Sequence, residues 1–163
     1  MLQYLNARAA LLFLAAIMAT AGASAQSIVG EPAVTDGDTL VVQGQRVRLW
    51  GIDAPETQQS CTGSSGRFQC GAEATRYLQA LVAGKGPATC AVKTVDRYKR
   101  LVAICQVQGR DLGAEMVRAG WALAFIRYSN DYVGIEADAR QARRGMWAGS
   151  FEAPWDWRAG KRQ

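Results

Sequence analysis

Three carboxylates suggest the first chemistry in this sequence: Asp38, Asp53 and Glu56, which flank an apparent β-hairpin. A turn near 44–45 would place Gly51 opposite Asp38. Asp53, a little further along, then lies on the same face, because side chains alternate along a strand. Like charges at about 5 Å repel by roughly 3 kcal/mol at an effective dielectric near 20. We therefore expect protonation or a bound cation to relieve this cluster.

The residue types restrict both the cation and the reaction. The sequence contains no histidine, which removes the usual general base and the commonest nitrogen ligand of transition metals. No Cys-x-x-Cys pair occurs, so a four-cysteine zinc site is not expected. Ligand sets made only of oxygen favour calcium or magnesium. Any chemistry must therefore use carboxylates, arginines and a hard cation.

Arg48 is the nearest positive charge, but its odd spacing from Asp53 puts the two side chains on opposite faces of a regular strand. A bend would bring them together, and Gly51 is the natural place for one. Each piece alone has a plainer explanation: Asp36-Gly37-Asp38 is usually a turn, and a lone strand arginine is usually solvated. Their combination at this spacing favours a functional site.

The amino-terminal residues predict export. Arg8 precedes an apolar run from Ala9 to Ala21, and Ala23-Ser24-Ala25 resembles a signal-peptide cleavage site. The run is shorter than the roughly 20 apolar residues of a spanning helix. We expect loss of residues 1–25, leaving 26–163 as one monomeric domain without a membrane anchor, periplasmic or extracellular. The net charge of +5 fits a polyanionic partner but is common in ordinary soluble proteins.

Four cysteines, an even number in a chain expected to be exported, predict two disulfides. Three pairings are possible. Cys90 and Cys105 lie equally far from the centre of 96–99, so a hairpin turning there sets them opposite each other and leaves Cys61 with Cys70. Closing loops this short contributes roughly 3 kcal/mol each.

The elements that must position the carboxylates are of both kinds. Strands are predicted within 39–52, 88–107 and 121–126. Helices are predicted over 72–83, over 112–119 with Asp111 as N-cap, and from after 131 to about 144, with a loop over 57–70. Strands and helices do not alternate, which favours an α+β fold with helices on a small antiparallel sheet or barrel.

Several motifs together resemble the staphylococcal nuclease (thermonuclease) family. They are Asp36-Gly37-Asp38-Thr39, the run from Arg48 to Thr57, Asp96-Arg97-Tyr98-Lys99-Arg100, the run from Val117 to Ala122, and Gly145-Met146-Trp147. The resemblance covers nearly the whole chain after residue 25. It implies an OB-type five-stranded antiparallel β-barrel with three packed helices. It also implies a metal-dependent endonuclease that hydrolyses DNA and RNA with calcium and little sequence specificity.

The resemblance also implies how a metal would be held. Asp38 and Asp53 would bind calcium through their carboxylates. Ala54 would add its backbone carbonyl, so its side chain, where the family often has threonine, is no obstacle.

Catalytic roles carry over in the same way. Glu56 would orient or deprotonate the attacking water, and Arg48 and Arg100 would grip the phosphate and offset its growing charge. One departure bears on this assignment. Lys99 stands where the family commonly has glycine, which leaves the placement of Arg100 open.

Candidate nucleic-acid contacts are less specific. Tyr128, beside Arg127, is a candidate for base stacking, although an aromatic ring covering the edge of the core is an equal alternative. Lys99 is a candidate phosphate contact together with Lys93 and Arg97, although a solvated charge run is the commoner explanation. Trp155 and Trp157 are predicted to cap the core.

Two function classes remain open: a metal-dependent nuclease, and a non-catalytic OB-fold module that binds single-stranded nucleic acid. Clustered carboxylates repel phosphate, so a pure binding module has no need of them. This favours the enzyme. A third class, a role in envelope or polysaccharide assembly, has no positive support in the sequence.

Overall fold

Residues 26–160 are described by the computed structural model and form eleven β-strands, four α-helices and one 3-10 turn. The predicted signal peptide, residues 1–25, lies outside these residues. The strands are β1 (Ser27–Gly30), β2 (Pro32–Asp36), β3 (Thr39–Val42), β4 (Gln45–Leu49), β5 (Ile52–Asp53), β6 (Cys61–Gly63), β7 (Gly66–Phe68), β8 (Ala88–Val95), β9 (Leu101–Val107), β10 (Arg110–Asp111) and β11 (Leu123–Ala124). The helices are α1 (Cys70–Val82), α2 (Leu112–Arg118), α3 (Val133–Gln141) and α4 (Pro154–Gly160), and the 3-10 turn spans Gly145–Ala148.

The main sheet has the order β1-β8-β9-β4-β3-β2, and β10 pairs with β9. Strands β4 and β9 run parallel, whereas the other pairs of this sheet are antiparallel. Strand β1 also contacts β3, so the sheet curls back on itself. The predicted α+β fold of OB type is confirmed. The structure has more than the five strands and three helices that were predicted. The additional helix, α4, is too short for its sequence to show a helical repeat of apolar residues.

The hydrophobic core lies between the curled sheet and helices α1 and α2. Leu40, Val47 and Leu49 of the sheet are at most 1% exposed, and so are Leu78 of α1 and Met116 of α2. Burying a side chain of this size contributes roughly 1.5 to 3 kcal/mol. The core fixes the faces of β3 and β4, and therefore the direction in which their polar side chains point.

The hairpin of β3 and β4 turns at Gln43-Gly44, where both residues have positive φ, as in the two-residue turns that suit twisted strands. Its register pairs Thr39 with Arg48. Leu49 therefore donates its N–H to the Asp38 carbonyl at 2.8 Å. The predicted register, with Gly51 opposite Asp38, is wrong because the turn is centred one residue earlier.

The bend predicted at Gly51 is present. Strand β4 ends at Leu49, Gly51 has a φ of +69°, and β5 begins at Ile52. A Cβ atom at Gly51 would lie 3.0 Å from the Tyr132 ring, so both the backbone angle and the close packing favour glycine. The bend carries Asp53 out of the alternation of β4.

Both predicted disulfides are confirmed. Cys90 and Cys105 are opposite residues of β8 and β9, and Cys61 is bonded to Cys70. The loop predicted over 57–70 instead contains the short β6–β7 hairpin, which the second disulfide ties to the start of α1.

The predicted helices are present as α1, α2 and α3, and Asp111 caps α2 by accepting the Ala114 N–H at 3.2 Å. Helix α3 ends at Gln141, earlier than predicted. Within residues 26–160, none of the helices has both the length and the apolar character to span a membrane.

Candidate active site

Two of the three carboxylates are buried beside each other. Asp38, in the turn between β2 and β3, is 5% exposed, and Asp53, at the end of β5, is fully buried. The Asp38 carboxylate accepts a hydrogen bond from the Thr39 hydroxyl at 3.0 Å and from the Ala54 N–H at 3.2 Å. Gly37 permits this approach, because a Cβ there would lie 2.8 Å from the Cβ of Ala54.

Arg48 bridges the two aspartates. Its Nη2 lies 3.0 Å from Asp38 Oδ2 and 2.6 Å from Asp53 Oδ1, and its Nη1 lies 3.1 Å from Asp38 Oδ1. Burial raises the pKa of Asp38 above its usual value, and the positive charge of Arg48 opposes that shift. The bend at Gly51 therefore brings together two side chains that a regular strand would keep apart.

A second arginine, which the sequence did not point to, completes the cluster. Helix α4 places Arg158 so that Nη2 lies 2.6 Å from Asp53 Oδ2 and Nη1 lies 2.8 Å from Glu56 Oε1. Carboxylates and guanidinium groups thus alternate in the order Asp38, Arg48, Asp53, Arg158 and Glu56. The signal in the sequence was the lone basic residue that ends Pro154-Trp155-Asp156-Trp157-Arg158, but no spacing connects it to residues so far away in the chain.

Arg100 is held by the turn that joins β8 to β9. Asp96 accepts hydrogen bonds from the Arg100 N–H at 3.0 Å and from Arg100 Nε at 2.7 Å. Lys99 has a φ of +61°, so the lysine adopts the left-handed conformation that glycine takes at such turns. The turn therefore accommodates Lys99 in this conformation while Arg100 is paired with Asp96.

The contacts in this turn lower the pKa of Asp96. Burial acts to raise the pKa of Asp96, but hydrogen bonds from Arg100 and from the Tyr98 N–H outweigh burial and hold the pKa below its usual value. The carboxylate therefore stays ionised at neutral pH and fixes the Arg100 side chain, which is 16% exposed.

A cleft of about 840 Å³ joins these groups. Its lining includes the candidate catalytic residues Arg48, Glu56 and Arg100 and the candidate nucleic-acid contacts Arg127 and Tyr128. Asp38, Asp53 and Ala54 lie buried behind this lining. Lys99 is exposed at the tip of its turn and is not among the described residues that line the cleft.

Residues 46–149, more than half of the chain, match the family model described as staphylococcal nuclease homologue. The chain belongs to the staphylococcal nuclease family. The succinoglycan biosynthesis protein ExoI of Rhizobium meliloti (strain 1021) is 34% identical over 143 residues, which are 86% of this chain and 73% of that protein. An uncharacterized endonuclease of Escherichia coli O157:H7 is 36% identical over 133 residues, 77% of this chain and 80% of that protein. The staphylococcal-like nuclease CAN1 of Arabidopsis thaliana is 36% identical over 120 residues, 72% of this chain and 34% of that protein.

The family match does not include the whole site. Asp38 precedes the matched range of 46–149 and Arg158 follows it. Helix α4 therefore contributes to the cleft of this staphylococcal nuclease homologue from a segment beyond the family model.

The residues also bear on the metal that the family resemblance implies. Asp38 and Asp53 offer the oxygen donors that calcium prefers, and both contact the same Nη2 atom of Arg48, so one ion could reach both. However, their oxygens already accept hydrogen bonds from Arg48 and Arg158. Among residues 26–160, no group of three or more acidic, histidine or cysteine side chains is arranged as a metal site. The donor types fit a hard cation, and the guanidinium groups of Arg48 and Arg158 also offset the repulsion between the carboxylates.

Proposed function

We propose that this member of the staphylococcal nuclease family is an exported endonuclease. It hydrolyses phosphodiester bonds of DNA and RNA with calcium and with little sequence specificity. The observation that carries the proposal is the alternating cluster of three carboxylates and two arginines at the wall of one cleft, with Arg100 on the same cleft. Residues 1–25 act as the signal peptide and 26–163 as a monomeric nuclease domain, in the periplasm or outside the cell. Two disulfides support an oxidising compartment.

The proposed metal ligands are the Asp38 and Asp53 carboxylates and the Ala54 carbonyl. When bound there, calcium supplies Lewis-acid stabilisation of charge on the phosphate oxygens. Glu56 suits the role of the group that orients the attacking water and takes its proton, since its side chain is 40% exposed at the cleft, unlike the two buried aspartates.

Arg48 and Arg100 suit phosphate binding. Each guanidinium is pre-positioned by a carboxylate, Arg48 by Asp38 and Asp53 and Arg100 by Asp96, and both line the cleft. Donors fixed in this way stabilise the charge that grows on a phosphate without reorganisation at the moment of reaction.

Tyr128 and Arg127 are proposed to hold the nucleic acid beside the reacting phosphate. Tyr128 is 52% exposed and lines the cleft, which favours a contact with nucleic acid over the alternative that its ring covers the edge of the core. Lys99, exposed at the tip of the turn after Tyr98, is proposed as a phosphate contact outside the cleft.

Cleavage assays test the proposal. The purified protein is incubated with single-stranded DNA and with RNA, in calcium and then in a chelator, beside a Glu56→Gln variant. We expect both nucleic acids to be cut in calcium and neither in the chelator, and we expect the variant to cut about a hundredfold or more slowly than the parent. Cutting in the chelator would exclude the calcium mechanism, and binding without cutting would favour the non-catalytic OB-fold module. The name of the Rhizobium relative refers to polysaccharide biosynthesis. A protein that neither cuts nor binds DNA or RNA would favour a role of that kind over the proposed nuclease.

A further inference from the structure

Four aromatic side chains form a continuous row, here called the aromatic row: Trp50, Tyr128, Phe125 and Trp155. The ring centroids of Trp50 and Tyr128 are 5.9 Å apart, those of Tyr128 and Phe125 are 5.2 Å apart, and those of Phe125 and Trp155 are 5.8 Å apart. Phe125, Tyr128 and Trp155 line the cleft that also holds Glu56. The row therefore runs from the bend after β4 to helix α4.

Trp155 does not cap the core, contrary to the sequence prediction. Its side chain belongs to the first turn of α4 and is 38% exposed, whereas the neighbouring Pro154 is buried. An exposed tryptophan in a cleft leaves apolar surface open to a ligand. Because Arg158 of the same helix contacts Asp53 and Glu56, α4 sets the Trp155 ring at a fixed place relative to the reacting groups.

The charge beside the row indicates the kind of ligand. Arginines 46, 48, 97, 100, 127 and 158 line the same cleft. A chain of flat apolar rings beside a set of guanidinium groups matches a single nucleic-acid strand, whose bases stack on aromatic rings while its phosphates meet the arginines. In a duplex the base faces are stacked on one another and cannot reach the rings.

We propose that Trp155 is a base-stacking site of the cleft that extends the contact at Tyr128. This rests on the proposed nuclease function and adds to it a second aromatic residue that holds a base of the substrate. The site lies on α4, outside the matched range of 46–149.

Binding to defined oligonucleotides tests the inference. In a Glu56→Gln background with calcium present, the affinity for a fluorescein-labelled twelve-nucleotide single strand is measured by anisotropy for the parent and for Trp155→Ala, Trp155→Leu and Trp155→Phe. Stacking is worth about 1 to 3 kcal/mol per base, so we expect the Ala and Leu variants to bind about 5- to 150-fold more weakly. The Phe variant should stay within about threefold of the parent, because it keeps a ring.

Two controls make the result specific. Val133→Ala removes another exposed apolar side chain, 41% exposed on α3, and should leave affinity unchanged. A strand in which abasic sites replace the bases should bind the parent and Trp155→Leu equally. Equal binding of the normal strand by parent and Trp155→Leu would overturn this inference alone, whereas a parent that binds no nucleic acid would overturn the proposed function with it.

Discussion

Arg158 and Asp53 form a two-point ion pair although they lie 105 residues apart in the chain. Nη1 of Arg158 lies 3.1 Å from Asp53 Oδ1, and Nη2 lies 2.6 Å from Asp53 Oδ2. Asp53 is fully buried, and its Oδ1 also accepts a hydrogen bond from Arg48 at 2.6 Å. Both oxygens of the proposed metal ligand are therefore already engaged by positive charge, so that a divalent cation would compete with Arg158 for this carboxylate.

Arg158→Gln should strengthen calcium binding for this reason. We expect affinity to rise about tenfold, because a charge that repels the cation is removed next to a buried carboxylate. In a chelator the same variant should lose about 1 to 3 kcal/mol of unfolding free energy, since Asp53 loses charged hydrogen bonds. Calcium should then raise its Tm more than that of the parent. Calorimetric titration with calcium alone and thermal unfolding with and without chelator measure both effects.

Arg97→Gln is the matched control for this experiment. Arg97 lines the same cleft, but its guanidinium lies over the Tyr98 ring, at 4.9 Å from the centroid, and not on the carboxylate cluster. It removes the same charge from the cleft and should change calcium affinity by less than about threefold. Arg158→Lys keeps the charge and should resemble the parent. Equal affinities for the parent and Arg158→Gln would show that Arg158 does not compete with the ion.

Glu56→Gln and Arg48→Lys should both slow cleavage, for different reasons. The first variant keeps the shape of the side chain but removes the proton acceptor, and we expect a loss of about a hundredfold or more. The second keeps the positive charge beside Asp38 and Asp53 but loses the two-pronged donor, with a loss of about a hundred- to a thousandfold. Cleavage of a labelled single strand at saturating calcium measures the rate, and circular dichroism checks the fold. Rates within a factor of a few of the parent would contradict the roles assigned to these residues.

The sequence predicted local features well because their causes are local. The glycine bend at 51 and the cap at Asp111 follow from residue type and short spacing, and the pairing of Cys90 with Cys105 follows from the symmetry of one hairpin. The alternation of side chains around Gly51 was also enough to predict that Arg48 and Asp53 need a bend to meet.

Features that depend on distant parts of the chain could not be predicted in the same way. Arg158 reaches Asp53 and Glu56 only because the fold returns α4 to the cleft, and no local pattern encodes that return. The prediction for Trp155 was wrong for the same reason. A large apolar residue is on average mostly buried, and only tertiary packing shows that Trp155 is exposed.

Asp96 should make the stability of the protein depend on acidic pH. Its pKa in the folded state lies below the ordinary value of 3.8, so the unfolded chain binds a proton more readily. The stabilisation is therefore fully present above about pH 4 and is lost as the pH falls through the folded-state pKa. Asp96→Asn should lose about 1 to 3 kcal/mol at neutral pH, because Arg100 and two backbone N–H groups lose a charged acceptor.

Urea unfolding of the parent and Asp96→Asn between pH 2 and 7 measures this dependence. The difference in unfolding free energy between the two proteins should be constant above about pH 4 and should shrink below it. Asp138→Asn on α3, which has no part in the turn at Asp96, serves as the control. A difference that grows as the pH falls would contradict the direction of the pKa shift.

The two disulfides should differ in their effect on activity although their effects on stability are similar. Their sequence separations are 9 and 15 residues, so loop closure predicts that removing either costs about 3 kcal/mol. The Cys61–Cys70 bond lies beside the segment that carries Glu56: the Gln59 N–H donates to the Glu56 carbonyl at 2.7 Å, and the Gly71 N–H donates to the Gln59 carbonyl at 3.2 Å. A Cβ atom at Gly71 would lie 1.7 Å from the Glu56 carbonyl oxygen, which shows how closely the start of α1 supports this segment.

Replacing Cys61 and Cys70 together by serine should therefore lower kcat about tenfold or more at a temperature where the variant is still folded, since a small displacement of a catalytic group has a large effect on rate. The matched change at Cys90 and Cys105 lies toward the end of the β8–β9 hairpin remote from the turn in which Asp96 holds Arg100, so it should leave kcat within about twofold. Urea unfolding establishes that both variants are folded under the assay conditions, and cleavage of a labelled single strand gives kcat. Equal losses of kcat in the two variants would show that the Cys61–Cys70 bond stabilises the domain as a whole and does not position Glu56.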